Sequence, residues 1–401
     1  MKDVRTWIEI DAGALRNNAE QFLKLIPAGT RLMAVIKSNA YGHGLVPVAK
    51  ILASGFQHPV SSIQFGVDSV VEALRLRREG IKNKILVLGY TLPARIAEAV
   101  GKDIIITISN FDALRALAAA SARNARPAFH LKIDTGMYRQ GFMPDEIPRL
   151  IAALRRGELA PAGVYTHFAS AKDPADMAYT LFQFKQFQKI ASDLRQSGFR
   201  NLICHAASSG GALLFPESHL DMVRVGMGLY GYLPSAEMKN EKRKMKNVRH
   251  REYGNTGIGS LIQGSDPCIV RPVMMWKTII SEVKSVPKGS PVGYDGIERV
   301  KRNTKIAVLP VGYWHGYDRG LSRIGEALAR GRRAKVLGRV SMDMTVVDVT
   351  DIPRVRAGDE AVLVGEQGKE CVSAEDMAEI LDTTHYEVLT RINPLIRRIL
   401  V

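Results

Sequence analysis

The chain has 401 residues, 46% of them hydrophobic and 24% charged, so it is long enough for about two folded domains and too apolar for a disordered chain. Its cysteines (Cys204, Cys268 and Cys371) form no CxxC pair, which argues against a disulfide framework or a zinc site. The net charge of +16 includes a dense basic patch at 239–251, but no nucleic-acid-binding motif accompanies it, and we expect no nucleic acid partner. No run of about 18 apolar residues exists and no signal-peptide stretch follows residues 1–5, which predicts a cytoplasmic protein without membrane contact.

From about residue 30 to 232, short apolar runs alternate with amphipathic segments, as in βα units. The clearest helices are predicted at 68–79, 110–122 and 177–195. Eight strands are predicted, at 32–36, 63–66, 85–88, 104–107, 128–133, 161–166, 201–204 and 221–225. This number of repeats favours an α/β fold with a (β/α)₈ TIM-type barrel, although periodicity alone leaves an open doubly wound sheet as the alternative.

The composition changes after Pro234, where residues 235–270 are polar and basic, as in a linker or a surface insertion. Beyond this segment, short strand-like runs separated by Gly, Pro and Asp turns predict a mainly-β domain. These runs lie at 278–286, 305–311, 334–337, 345–349 and 360–364. We therefore predict a barrel at 1–234, an insertion at 235–270 and a β-rich C-terminal domain at 271–401.

The first predicted strand, 32–36, ends on Lys37, and a glycine-containing turn with Tyr41 and His43 follows. Burial at a strand end favours the neutral amine, which is the form that attacks aldehydes. The turn offers backbone N–H groups and a phenol to a phosphate. The segment predicts a Schiff-base lysine with an anchor for pyridoxal phosphate, although a strand-end lysine can also simply reach solvent.

Polar residues follow other predicted strands at the carboxyl ends, where the active sites of such barrels lie. Lys132 is predicted to point inward, where its ammonium needs a chemical modification or a carboxylate partner, for which Asp134 is the candidate. Arg139 is placed to bind a substrate carboxylate or the phenolic oxygen of the cofactor. His167 is either a core histidine or a hydrogen-bond partner that orients Arg224.

Arg224 lies on the eighth predicted strand, and the loops after the seventh and eighth strands are the usual phosphate site of this barrel. Segments 208–211 and 225–228 supply amides for a phosphate there, or else a helix cap and a tight turn. A buried guanidinium needs a specific partner, either a structural salt bridge or the pyridine nitrogen of the cofactor. Since arginine keeps its proton, the pyridine nitrogen would stay unprotonated and the ring would be a weaker electron sink. Negative charge would then stay near the α-carbon of the substrate, which favours return of a proton there over side reactions.

Three segments stand out in the predicted β-rich domain. Tyr294 and Tyr313 lie beside glycines, and Met342 and Asp343 lie in a polar, sulfur-containing turn. Taken alone, each segment is typical of a β-turn rather than of a site.

These motifs, and their order along the chain, resemble those of the alanine racemase family of fold-type III pyridoxal-phosphate enzymes. The resemblance covers nearly the whole chain except about 237–270. The motifs that carry the resemblance are the segment 32–44 with Lys37, Lys-x-Asp-Thr-Gly-Met-x-Arg at 132–139, Tyr-Thr-His-Phe at 165–168, the segment 224–231, and Ser-Met-Asp at 341–343.

The resemblance implies an N-terminal barrel, a C-terminal β-domain and a homodimer whose two sites each draw on both chains. It implies interconversion of L-alanine and D-alanine by two-base proton transfer, which would supply D-alanine for peptidoglycan. Lys37 would hold the cofactor and take the α-proton of the D-isomer. Tyr294 of the partner subunit would take the α-proton of the L-isomer.

The same resemblance assigns the remaining site residues. Arg224 would face the pyridine nitrogen with His167 behind it, and Lys132 would be carbamylated, as in many members of the family. The phosphate ligands would be Tyr41, Ser209, Gly226, Met227 and Tyr386. The substrate carboxylate would meet Arg139 and Met342, with Tyr313 and Asp343 at the pocket entrance.

The chain departs from the family pattern at two positions near these motifs. Ser208 stands where asparagine is usual, which affects a polar contact near the cofactor. His315 stands where aspartate is usual, which puts the polarity of the entrance and the dimer contacts in doubt. The insertion at about 237–270 is also atypical.

Two other functions remain open from the sequence. A racemase for serine or lysine would carry the same motifs, and competing kcat/KM values would distinguish it. A non-catalytic cofactor-binding or regulatory protein of this type generally lacks the second domain, which this chain retains together with Tyr294.

Overall fold

The structure is a computed structural model that describes residues 4–54, 63–120, 126–171, 177–233 and 270–401. The chain divides into two compact units. The barrel unit comprises 13–37 and 48–271, and the C-terminal unit comprises 1–12, 38–47 and 272–401. The predicted insertion at 235–270, with its basic patch, lies outside the described residues except for Val270. The domain boundaries at 234 and 271 stay a prediction.

The predicted barrel is confirmed. Strand β1 (Thr6–Ile10) belongs to the C-terminal unit, and eight parallel strands in the barrel unit follow it, each matching a predicted strand. They are β2 (Arg31–Val35), β3 (Ile63–Val67), β4 (Ile85–Val87), β5 (Ile104–Ile108), β6 (Phe129–Lys132), β7 (Gly163–Tyr165), β8 (Ile203–His205) and β9 (Met222–Val225). All their residues are buried except Arg31 and Ile203, as expected for a parallel sheet covered on both faces.

The sheet is nearly closed, which excludes the open doubly wound alternative. Neighbouring strands pair in chain order from β2 to β8, and β9 returns to pair with β2. Between β8 and β9, the Asp221 N–H donates to the Cys204 carbonyl at 3.1 Å, and the Arg224 N–H donates to the Ala207 carbonyl at 3.0 Å. The carboxyl ends of all eight strands therefore surround one opening.

Helices connect the strands, and the three predicted helices are found within two residues of their expected ends. The α-helices are α1 (Ala12–Leu25), α2 (Leu45–Ala53), α3 (Val70–Arg78), α4 (Phe111–Ala120), α5 (Ile147–Arg156), α6 (Ala178–Gln196), α7 (Ser209–Leu214), α8 (Ala374–Ile380) and α9 (His385–Thr390). Short 3₁₀ helices lie at Pro93–Ala99, Pro144–Glu146, Pro216–Ser218, Met227–Tyr230, Tyr294–Gly296, Tyr313–His315 and Arg319–Leu321. Within the described part of the chain, no helix has the length and apolar character needed to cross a membrane.

The C-terminal unit is built on a ten-stranded, mainly antiparallel sheet, which confirms the predicted β-rich domain. After β1 its strands are β10 (Met274–Ile279), β11 (Glu282–Val286), β12 (Thr304–Leu309), β13 (Glu326–Ala329), β14 (Arg332–Leu337), β15 (Thr345–Asp348), β16 (Glu360–Gln367), β17 (Glu370–Val372) and β18 (Arg397–Leu400). Their order is β11-β12-β15-β14-β13-β16-β10-β1-β18, with β17 paired to β16.

The run predicted as one strand at 278–286 is two strands. The Ile280 N–H donates to the Asp359 carbonyl, whereas the Ser281 N–H donates to the Val308 carbonyl. Two consecutive residues thus pair with different parts of the sheet, and the strand breaks between them.

Candidate active site

The carboxyl end of the barrel collects the cationic side chains expected there. Lys37 follows β2, Lys132 ends β6, and Arg224 lies on β9. Lys132 is close enough to Lys37, Arg139 and Arg224 for their charges to lower its pKa. The end of the barrel is therefore a cluster of positive charge, which we call the cation cluster (Lys37, Lys132, Arg139 and Arg224).

Lys132 is buried, and no carboxylate among the described residues forms an ion pair with it. Its Nζ donates to the side-chain oxygen of Gln140 at 3.2 Å and lies 5.6 Å from the ring centroid of Tyr165. Burial, reinforced by the neighbouring cations, lowers the pKa of Lys132 to about 8. A substantial fraction of this amine is consequently neutral near physiological pH.

Asp134 is not the ion-pair partner that the sequence suggested for Lys132. One of its oxygens accepts hydrogen bonds from the backbone N–H groups of Gly136, Met137 and Tyr138, and the other accepts from those of Arg139 and Gln140. These bonds hold the pKa of Asp134 below its usual value although burial opposes them. Asp134 thus organises the loop that carries Arg139, and its charge offsets only a small part of the lowering of the pKa of Lys132.

Arg224 is almost completely buried and held by acceptors at the carboxyl ends of β7 and β8. Its Nη2 donates to the backbone carbonyls of Thr166 and Ala206, at 2.7 and 2.8 Å. The Nδ1 of His167 lies 3.3 Å from the same nitrogen, so the expected contact between His167 and Arg224 is present. A shorter contact of 2.8 Å joins Nη1 to the Nδ1 of His205, a residue that sequence reasoning missed. His205 directly follows the predicted seventh strand, 201–204, and a polar residue at that position is the sequence feature that could have identified it.

The charge states in this region follow from burial. Desolvation lowers the pKa of Arg224 to about 10, so its guanidinium stays charged at neutral pH. Burial and the charge of Arg224 lower the pKa of His167 well below its usual value, and His167 is therefore neutral. The two carbonyls and His205 accept three of the five N–H groups of Arg224, and among the described residues its Nε–H and second Nη1–H have no hydrogen-bond acceptor, so these two can serve a ligand.

The loops after β8 and β9 are joined through Ser209. The Ser209 hydroxyl accepts hydrogen bonds from the N–H groups of Gly226 at 3.0 Å and Gly228 at 3.4 Å. With both lone pairs used, its own hydrogen is free to donate to an anion. The side chain of Met227 is buried beside it, whereas Ser208 caps α7 through its backbone carbonyl, which accepts the Ala212 N–H at 2.7 Å.

The turn after Lys37 has a rare backbone conformation. Ser38, Asn39, Ala40 and Tyr41 all have φ between 51° and 55°, which makes one turn of left-handed helix. This conformation costs non-glycine residues about 1–2 kcal/mol each, and such strain is typical of functional sites. The side chain of Asn39 accepts the Leu45 N–H at 3.0 Å and supports the turn.

Two further residues of the C-terminal unit hold the left-handed turn. The buried His43 ring contacts the carbonyls of Ala40 and Tyr41 through Nδ1, at 3.1 Å each, and burial lowers its pKa to about 3. Arg398 donates to the carbonyl of Gly42 from Nη2 at 2.9 Å and from Nε at 3.1 Å. The turn thereby presents Tyr41, whose ring meets the ring of Tyr386 edge-on with 6.1 Å between centroids.

The other predicted site residues of the C-terminal unit are exposed. Tyr294 is 68% exposed and Met342 55% exposed, and Tyr313 and Asp343 are also exposed. The backbone joins two of these segments, because the Tyr313 N–H donates to the Ser341 carbonyl at 3.0 Å. Tyr294 lies in a turn that an ion pair between Asp295 and Arg339 supports, with 2.7 Å between them.

His315 is buried within its own turn, close enough to Asp343 for the charge of that carboxylate to act on its pKa. The Nδ1 of His315 accepts the Gly312 N–H at 3.2 Å. A carboxylate at this position would accept the same bond. The replacement of the usual aspartate therefore preserves the local turn.

The cation cluster suits an anionic ligand. Four positive side chains surround the end of the barrel, and the nearby carboxylate of Asp134 is occupied by backbone N–H groups. A ligand that combines a phosphate, a carboxylate and an acceptor ring nitrogen would use the Ser209 hydroxyl, the guanidinium groups and the remaining N–H groups of Arg224. The residues present thus fit pyridoxal phosphate and an amino-acid substrate.

Comparisons with known proteins agree with the two units. Residues 10–234 match the sequence model of the alanine racemase N-terminal domain, and residues 273–400 match that of the C-terminal domain. The alanine racemase of Desulforamulus reducens is 37% identical over 98% of both chains. That of Leptospira interrogans is 34% identical over 100% of this chain and 97% of its own.

Solved structures show the same relationship. The crystal structure of alanine racemase from Bacillus anthracis with bound L-Ala-P has a TM-score of 0.85 and 31% identity, and covers 99% of this chain and 95% of its own. Alanine racemase from Clostridium difficile has a TM-score of 0.86 and 28% identity, over 99% and 96% of the two chains. The chain therefore belongs to the alanine racemase family and is an amino-acid racemase.

Proposed function

We propose that the chain interconverts L-alanine and D-alanine with pyridoxal 5′-phosphate as cofactor. The observation that carries this proposal is the cation cluster at the end of the barrel, where Lys37 lies together with a buried, charged Arg224. The relatives that support alanine as the substrate match the chain over almost its full length. The product D-alanine would serve peptidoglycan synthesis.

Each residue has a separate task in this reaction. The cofactor would supply an aldehyde for the substrate amine and a ring that withdraws electrons from the α-carbon. Lys37 would hold the cofactor and move the α-proton on the D side, and Tyr294 of the partner subunit would move it on the L side. One base removes the proton while the other returns one, so the net charge of the substrate is unchanged.

Arg224 would donate to the ring nitrogen, and His167 would orient the guanidinium. Because a guanidinium keeps its proton, a ring nitrogen bound to Arg224 would remain an acceptor, and the ring would be a weaker electron sink. This arrangement favours return of the proton over other fates of the substrate.

The phosphate and the substrate carboxylate would use different residues. Tyr41, Ser209, Gly226, Met227 and Tyr386 would hold the phosphate. Arg139 and Met342 would meet the carboxylate, with Tyr313 and Asp343 at the entrance.

A homodimer with shared sites is part of the proposal. Tyr294, Trp314, Met342 and Met344 are all more than half exposed in the C-terminal unit. Large exposed apolar side chains of this kind mark surfaces that bind another protein. A second copy of the chain would cover them and would receive Tyr294 into its site.

Lys132 would carry a carbamate. Its neutral amine would attack CO₂, forming an N–C bond and releasing one proton to solvent. The product replaces a buried cation by an anion that can pair with Arg139, which relieves the repulsion within the cation cluster. A carbamate ¹³C signal after incubation with ¹³C-bicarbonate, absent in Lys132→Met, would support this modification, and an unmodified lysine mass with no such signal would contradict it.

The reaction itself is tested in D₂O. Purified protein and pyridoxal phosphate are incubated with L-alanine, and D-alanine and α-deuterium are measured together. D-alanine that carries deuterium is the expected result. Deuterium exchange without D-alanine would show that only one base acts, and turnover of serine or lysine with a higher kcat/KM would reassign the substrate.

A further inference from the structure

Arg224 is the first member of a buried chain of three side chains that continues away from the cation cluster. Its Nη1 lies 2.8 Å from the Nδ1 of His205, and the Nε2 of His205 lies 2.9 Å from the Nδ1 of His130. Both histidines are completely buried. We call His205 and His130 the histidine relay.

The hydrogen-bond directions in the relay follow from the guanidinium. Arginine has only donors, so Nη1 must donate to the Nδ1 of His205. A neutral His205 then carries its hydrogen on Nε2 and donates it to the Nδ1 of His130. His130 must in turn carry its hydrogen on Nε2, and that atom is buried without a hydrogen-bond partner among the described residues.

Both imidazoles are neutral. Burial and the positive charges of Arg31, Arg224 and Lys84 lower the pKa of His130 to about 3. Burial, with Arg224 and His130, lowers the pKa of His205 well below its usual value. No carboxylate in the described parts of the chain forms a hydrogen bond with either ring, so nothing there stabilises an imidazolium.

The surrounding residues fix both rings. Tyr165 stacks face to face on His205, with centroids 4.7 Å apart and planes at 7°. The Thr107 hydroxyl donates to the Val87 carbonyl at 2.7 Å and accepts from the Tyr165 hydroxyl at 2.9 Å, which holds Tyr165 in place. A Cβ on Gly163 would lie 2.7–2.8 Å from two ring atoms of His130, so the ring of His130 rests directly on the backbone.

We propose that His205 and His130 are positioning residues that hold Arg224 as a fixed hydrogen-bond donor to a ring nitrogen. The histidine relay accepts a hydrogen bond from one Nη1–H of Arg224. It does not take up that proton, because His205 could do so only by passing its own Nε2 proton to His130, and the Nε2–H of His130 has no acceptor among the described residues. Because the other three N–H groups are held, the orientation of the Nε–H and of the second Nη1–H is also determined, and these are the two groups that would meet the ligand. The identity of that ligand rests on the proposed function, whereas the hydrogen positions in the relay do not.

The hydrogen positions are measured directly in the full-length protein labelled with [¹⁵N]histidine. Long-range ¹H–¹⁵N spectra distinguish the two neutral tautomers from imidazolium, and His130→Asn and His205→Asn identify the signals. We expect both residues to be neutral Nε2–H tautomers that do not titrate between pH 6 and pH 9. An Nδ1–H tautomer or an imidazolium at either residue would overturn the proposal.

The effect on Arg224 is measured by equilibrium binding of pyridoxal phosphate to the apoprotein. His130→Asn keeps an acceptor near the position of Nδ1, while His130→Leu preserves volume and removes the acceptor. We expect His130→Leu to weaken binding about tenfold, as loss of groups that orient a ligand-binding side chain commonly does, and His130→Asn to retain most of the affinity.

A second ligand separates positioning from a general structural role. In the analogue of pyridoxal phosphate whose ring nitrogen is replaced by C–H, Arg224 has no acceptor to meet. His130→Leu should therefore leave the affinity for this analogue within about twofold of that of the wild type. Equal weakening of both ligands would overturn the proposal. Because no turnover is measured, failure of the racemase proposal would leave this result interpretable.

Discussion

In the barrel unit, the candidate site residues lie at the ends of regular strands and are mostly buried, whereas in the C-terminal unit they lie in a strained turn or on exposed loops. Lys132 and Arg224 are held by hydrogen bonds to residues that follow β6, β7 and β8. Tyr294 and Met342 instead point to solvent. The barrel thus holds its candidate site residues in place by itself, whereas under the proposed function the exposed residues of the C-terminal unit would act on a second copy of the chain.

The largest expected effect is a loss of racemase activity, and it tests the site residues of the barrel unit. Lys37→Ala should lower racemisation by at least about 10³-fold, since both the attachment point of the cofactor and one base are removed. D-alanine formation is measured at saturating cofactor, with Lys189→Ala, at an exposed helix position, as the control. Full activity in Lys37→Ala would contradict the assignment of the base.

The second prediction tests whether the exposed residues act on another copy. Lys37→Ala and Tyr294→Phe should each be inactive as pure dimers. After the two proteins are mixed and allowed to exchange subunits, half of the dimers contain both variants, and each mixed dimer has one intact site. The mixture should therefore recover about a quarter of wild-type activity. No recovery, despite mixed dimers seen by native mass spectrometry, would mean that Tyr294 does not serve a neighbouring site.

The third prediction concerns the strained turn. Arg398→Met removes the hydrogen bonds to the Gly42 carbonyl and to the carbonyls of Asn393 and Ile396. The free energy of unfolding should fall by about 1–3 kcal/mol, and the affinity for pyridoxal phosphate should fall about tenfold because Tyr41 loses its position. Arg397→Met, on the same strand but exposed, is the matched control. Equal effects of the two substitutions would contradict a specific role of Arg398.

The smallest effect is a pH dependence that originates in the barrel. The pKa of Lys132 is about 8 in the folded protein and 10.5 as its ordinary value. The unfolded chain thus binds more protons between these values, so the free energy of unfolding contributed by Lys132 rises as pH increases from about 8 to 10.5. In buffer free of CO₂, this rise should be absent from Lys132→Met and retained in Lys189→Met, as measured by urea unfolding. An unchanged slope in Lys132→Met would contradict the burial of a free ammonium.

Much of the barrel half could be predicted from the sequence. Apolar runs of four to six residues are buried strands because both faces of a parallel sheet are covered, and a polar residue that ends such a run marks the carboxyl end of the strand. Lys37, Lys132, His167 and Arg224 were identified in this way. His205 was missed because a histidine at the end of a short strand gives no local sign of its partner, and its contact with His130 joins residues 75 positions apart.

The sequence by itself determined the eight βα repeats, the β-rich domain and the polar residues that end the strands, because these follow from local hydrophobic patterns. That the eight strands close into a barrel and not an open sheet was decided by the pairing of β9 with β2. Only the tertiary structure decided that β1 pairs with β10 and β18, that Asp134 binds its own loop, and that Ser38–Tyr41 form a left-handed turn. These features depend on donors and acceptors from distant parts of the chain that lie close together and can pair in more than one way. Which acceptor a given N–H or cation finds there is set by the assembled neighbours and not by the residues beside it in the chain.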